Sequence, residues 1–106
     1  PDPGPDPDQP IPNDVLNTLR NFCWGCHGEP LVGGAPMSLL AVEDFLAPSP
    51  SDPDTPVYDA VLDRMQRTDG THMPASFPAP LGPPWIDFMR AWIERTPFPE
   101  NCEPLL

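Results

Sequence analysis

The stretch Phe22-Cys23-Trp24-Gly25-Cys26-His27-Gly28, "FCWGCHG", sets two thiols and an imidazole within five residues of one another. What lies on either side of it decides how the chain folds. Upstream, Val15, Leu16, Leu19, Phe22 and Cys23 recur at the spacing of one buried helix face, with Asn13 as a candidate N-cap. This predicts a helix from about Asp14 to Cys26 that carries the cluster at its C-terminal end, where Gly25 and Gly28 let the chain turn away.

Working outward, Glu29 to Leu40 reads as an irregular loop, and Ser38 to Leu46 holds a short helical turn. Thr55 before Pro56 has the arrangement of an N-cap followed by a proline at the first helical position. The helix it opens has Val57, Tyr58, Val61, Leu62 and Met65 as its apolar stripe and ends near Arg67, with Asp69-Gly70 as its stop. Thr71 to Pro84 contains five prolines and little periodicity, so it reads as a long loop of the kind that is functional or disordered. A last helix begins near Pro84, buries Trp85, Ile86, Met89, Trp92 and Ile93 on one face, and stops before Pro97. No segment alternates as a strand does, so the fold class is all-α, three to four short helices with long proline-rich loops.

A chain of 106 residues buries a modest share of its surface and gains from a further packing partner. Residues 1–12, "PDPGPDPDQPIP", hold six of the twenty prolines, three aspartates and almost nothing apolar. They read as a flexible acidic spacer ahead of a domain over 13–106. The abrupt start on proline suggests a processed chain whose targeting segment has been removed, with a membrane tether upstream of the spacer as one arrangement. A net charge of −11 argues against nucleic acid, which demands a basic patch, and favours solubility and partners with basic docking surfaces.

Three chemistries use a thiol–thiol–imidazole cluster. A redox Cys-x-x-Cys normally opens a helix after a buried strand, whereas this one closes a helix with no strand before it. A structural zinc site needs a second ligand pair, and only His72 and Cys102 remain, isolated from each other. Covalent attachment of a c-type haem through Cys23 and Cys26, with His27 on the iron, uses the Cys-x-x-Cys-His pattern as it stands, and helical spacing sends all three side chains toward one side. The macrocycle would also supply the apolar surface that short helices lack.

An iron held by His27 has a second axial position. Met65 and Met89 lie on helix stripes and read as core, and Met37 is close enough to the cluster to stay on the His27 side. Met73 lies in the long loop, stiffened by Pro74, and is the favoured second ligand, since His/Met ligation suits electron transfer. His72 is its rival through bis-His ligation, or else an exposed loop histidine. One of the adjacent pair should face the iron and the other solvent.

The helix ending in "CWGCHG", the "GGAPMSL" loop, the "THMP" loop and the closing "WIDFMRAWIERT" helix resemble the small mono-haem class I c-type cytochromes from about Asn13 to Thr96. "MSLLAVEDFLAPS" and "FPENC" further resemble secreted or lipid-anchored cytochrome domains of δ-proteobacterial type. The resemblance implies a cytochrome c-like fold around one covalent haem c, with the terminal helices packed together so that Leu19 and Phe22 meet Trp85, Met89 and Trp92. It also implies that the Pro36 carbonyl accepts the His27 Nδ1 proton. The implied activity is one-electron transport in a periplasmic or extracellular setting rather than enzymatic turnover. A five-coordinate haem enzyme or gas sensor, and a tethered or polymerising cytochrome module, are the alternatives. Cys102 is left over, available for an intermolecular contact or as a free thiol.

Overall fold

In the computed structural model, residues 3–32, 36–69, 71–73 and 81–98 are described. Among them are five helices, α1 (Asn13–Phe22), α2 (Trp24–His27), α3 (Val42–Leu46), α4 (Val57–Gln66) and α5 (Pro83–Glu94), and no strand. A lone antiparallel bridge joins Pro48 to Pro56 across the intervening loop. The all-α class is thus observed, with one more helix than the pattern predicts.

The extra element arises where the first helix divides. Cys23 has φ −118° and ψ −40°, wide enough to break the helix into α1 and α2, although its N–H still donates to the Leu19 carbonyl at 2.9 Å. The N-terminal boundary also differs, because Pro12 occupies the N-cap position and Asn13 is already helical. Proline supplies the extended φ and ψ that a cap requires, so no side-chain cap is needed to start the turn. The same shift occurs at α4, where Pro56 is the cap and the Thr55 hydroxyl turns to Asp52 at 2.8 Å.

Helix α1 buries Val15, Thr18 and Leu19, while Leu16 stays half-buried. The inward stripe therefore runs 15, 18, 19, 22, the i, i+3, i+4, i+7 rows of one face. A threonine can lie there because its hydroxyl donates to the Asp14 carbonyl at 2.9 Å. On α4, Val57, Val61, Leu62 and Met65 are buried as their spacing predicts.

Helix α5 packs against both α1 and α4, and α4 packs against α3. Lying between neighbours, α5 buries Phe88 and Ala91 as well as Met89, Trp92 and Ile93. The Phe22 ring meets Trp85 edge-on at 5.0 Å, and Phe45 of α3 meets Trp92 at 4.9 Å. The terminal helices are thus paired as the resemblance implies, and the end of α1 that leads into the cysteine motif is fixed on α5.

The leading segment departs from the flexible spacer its composition predicts. Pro5 is fully buried, and the Gly4 carbonyl accepts Arg95 Nε at 2.8 Å. Gly4 has φ +80°, and a Cβ there would lie 2.8 Å from the Tyr58 ring. Composition weighs side chains only, whereas this contact is made by a carbonyl, a proline ring and the close approach that glycine permits. Arg95, itself at φ +56°, caps α5 and ties the segment to the far end of that helix.

Candidate functional site

The cluster is held by what precedes and follows it. Cys23 packs against the core at the α1–α2 junction, while Cys26 on α2 is exposed. Cys23 and His27 remain one helical turn apart, the His27 N–H donating to the Cys23 carbonyl at 2.8 Å. Both thiols are free. Burial pushes the Cys23 thiol up to about 12, the opposite of the depressed value that a disulfide-exchanging cysteine needs. Among the described residues, no group of three or more His, Cys, Asp or Glu side chains comes together to hold a metal ion, and Cys23, Cys26 and His27 are included in that statement. A direct four-ligand metal site would have to draw on residues outside those described.

His27 is half-buried, and its Nδ1 lies 2.9 Å from the carbonyl oxygen of Met37. A carbonyl only accepts, so this contact selects the tautomer with the proton on Nδ1 and the lone pair on Nε2. The acceptor belongs to Met37, one residue beyond Pro36, which is exposed and makes no such contact among the described residues. The difference is one of register, a shift of one residue along the segment. Met37 stays beside His27, as its position in the sequence predicts.

Two further bonds bind the same segment to the motif. The Leu39 N–H donates to the His27 carbonyl at 2.7 Å, and the Trp24 indole Nε1–H donates to the Leu39 carbonyl at 2.7 Å. The Arg20 guanidinium sits 5.9 Å from the centroid of the Trp24 ring, placing a cation over the indole from the preceding turn. On the other side of the segment, Asp44 Oδ2 accepts the Ser38 hydroxyl at 3.1 Å and the N–H groups of Leu40 and Ala41 at 2.9 and 3.1 Å. Partial burial pushes the Asp44 carboxyl up, but the bonds from Leu40, Ala41 and Ser38 together outweigh it and hold the group below its ordinary value. Trp24, Leu39 and Asp44 were not singled out by the sequence. An aspartate at the third position of a short helix was the available signal for the last, and an indole's partner has none.

Gly28, not Gly25, makes the turn out of α2. A Cβ on Gly28 would lie 2.5 Å from the Trp24 carbonyl oxygen, whereas one on Gly25 meets no described atom within 4 Å. Gly28→Ala should therefore cost about 1–3 kcal/mol by forcing backbone apart beside His27. Gly25→Ala, inside the helix, should be neutral or stabilise by up to about 1 kcal/mol. Denaturant titration of the two variants measures both, and equal effects would contradict this reading.

The second candidate ligand lies on a segment fastened to the end of α4. Met73 N–H donates to the Arg64 carbonyl at 3.0 Å, and Arg64 and Arg67 reach the Thr71 carbonyl and hydroxyl at 3.3 and 3.2 Å. Thr71 in turn is bonded to Asp69 through its N–H at 3.0 Å and its hydroxyl. Met73 is half-buried and His72 buried, so neither member of the pair is the solvent-facing one that was expected. Met65 and Met89 are buried in the core, as their helical positions predict. Pro74 and Cys102, and with them the stiffening of Met73 and the fate of the third thiol, lie outside the described residues.

Beside Cys26, whose carbonyl accepts the Val32 N–H at 3.0 Å, the side chains of Leu31 and Val32 are 45% and 50% exposed. They form a small apolar edge on a strongly acidic chain. No described helix is long and apolar enough to cross a membrane. Comparison of the chain with protein-family models, curated proteins and solved structures gave no match.

Proposed function

We propose that this chain is a one-electron carrier with a single haem fastened covalently through Cys23 and Cys26 and ligated by His27 and Met73. The observation that carries the reading is the His27 tautomer. Inside a Cys-x-x-Cys-His sequence, the Met37 carbonyl takes the Nδ1 proton and leaves the Nε2 lone pair as the donor. The donor set suits the group: two free thiols at the spacing for thioether formation, and an imidazole whose orientation is fixed from behind. When bound, a c-type haem supplies a one-electron Fe(III)/Fe(II) couple.

The chain's own part is to hold, orient and insulate. His27 is fixed by Met37, and its backbone by Leu39. Trp24 closes the segment over the motif, and the loop carrying Met73 is pinned to α4 by Arg64 and Arg67. No set of acid, base and nucleophile is invoked, and the chain is proposed to act on no substrate. The acidic surface favours encounter with basic partner proteins, and the apolar edge at Leu31 and Val32 offers contact beside the motif. A periplasmic or extracellular setting, with tethering upstream, belongs to the same proposal.

Oxidised and reduced optical spectra of the purified protein test it. The expected result is a low-spin c-type spectrum, resistant to haem extraction by acidified acetone, with the weak far-red band of methionine-ligated ferric haem. A high-spin ferric spectrum with rapid cyanide or CO binding would sink the carrier in favour of a five-coordinate enzyme or sensor. A colourless protein that binds zinc stoichiometrically would sink the haem reading itself.

A further inference from the structure

We propose that Asp44 is the positioning residue for the His27 imidazole, acting through the backbone of residues 37–41. These residues are gripped by two sets of bonds. Met37 and Leu39 bond to the motif, through His27 Nδ1, the His27 carbonyl and the Trp24 indole. Ser38, Leu40 and Ala41 bond to one oxygen of Asp44. The peptide plane between Leu39 and Leu40 carries both the carbonyl that accepts the Trp24 indole and the N–H that Asp44 accepts, and Ser38 follows Met37 directly, so the carboxylate restricts the planes whose carbonyls face the motif. The Met37 carbonyl, which decides the His27 tautomer, is thus aimed from the start of α3.

A helix-capping role alone does not account for this arrangement. Asp44 is the third residue of α3, and reaching back to Ala41 N–H would satisfy the helix end. The bonds to Leu40 N–H and Ser38 Oγ extend the grip beyond the helix into the segment that holds His27. An anion accepting three donors holds them more tightly than a neutral acceptor would. The carboxylate is also held below its ordinary range, as expected of a group whose partners favour the charge.

The proposal rests on the haem reading only for its electrochemical consequence. An N–H bond to a carbonyl makes the imidazole a stronger donor, which favours ferric iron. Loosening that bond should raise the reduction potential. In the protein as purified and reduced, exchange of the His27 Nδ1 proton with solvent is followed by nitrogen-15 NMR for wild type, Asp44→Ala and Asp44→Asn. Exchange should quicken on the order of tenfold in Asp44→Ala, and by less in Asp44→Asn, which keeps one acceptor oxygen. The potential should rise in the same order. A lowered melting temperature with ring-proton exchange and potential both unchanged would reduce Asp44 to a helix cap and overturn the proposal. Should Asp44→Ala fail to fold, Ser38→Ala removes one of the three bonds and leaves those at the start of α3. It should shift both readouts the same way, and no shift would again overturn the idea. A protein found without haem still yields the exchange measurement, which decides the role of Asp44 separately from the function.

Discussion

The double variant Cys23→Ala/Cys26→Ala should lose covalently held haem completely, and each single variant should keep it through one thioether. Intact-mass measurement after acid–acetone extraction reads this directly: the wild type carries the mass of one haem, and the double variant only that of the polypeptide. The two single variants should not be equivalent. Cys23 is packed against the core, so its truncation also removes buried contact, at about 1–2 kcal/mol. Cys26 is exposed, and its truncation should leave thermal stability nearly untouched apart from the lost link. A wild type without the added mass would end the haem proposal, and a double variant that retains it would locate the attachment elsewhere.

The parts of this molecule that follow a period were legible in its sequence. Helices α4 and α5 begin within a residue of where their prolines and apolar spacing place them, and Met65 and Met89 are buried as their stripes require. What a stripe cannot report is a local change of dihedral. The break at Cys23 changes no apolar position: Cys23 packs on the core as the stripe places it, and only its φ of −118° divides α1 from α2. Register within a loop is likewise silent, because Pro36 and Met37 both offer a carbonyl and only the path of the backbone chooses between them. The leading segment illustrates the same limit from the other side. Its proline and aspartate content signals disorder, but the docking of Gly4 and Pro5 depends on a positive φ and on Arg95, ninety-one residues away. Contacts made by backbone atoms across that separation leave no trace in composition.

Met73→Ala and His72→Ala should separate the two candidates for the second axial position because burial predicts opposite balances of stability and function. Met73 is half-buried and His72 is buried, so truncating the histidine should cost the greater stability, about 1–3 kcal/mol, through lost packing and lost polar contact. Truncating the methionine should cost less stability but change the chemistry more. Loss of the thioether should abolish the far-red ferric band and open the iron to cyanide and CO. It should also lower the reduction potential, since methionine favours the reduced metal. The backbone bond from Met73 N–H to Arg64 survives the substitution, so the loop should stay in place and the effect should belong to the side chain. Spectra and potentials of both variants, set beside their melting temperatures, give the answer. If His72→Ala opens the iron while Met73→Ala leaves the spectrum intact, the pair's roles are reversed and the ligation is bis-histidine. That reversal would also predict a lower wild-type potential, which the same electrochemistry measures.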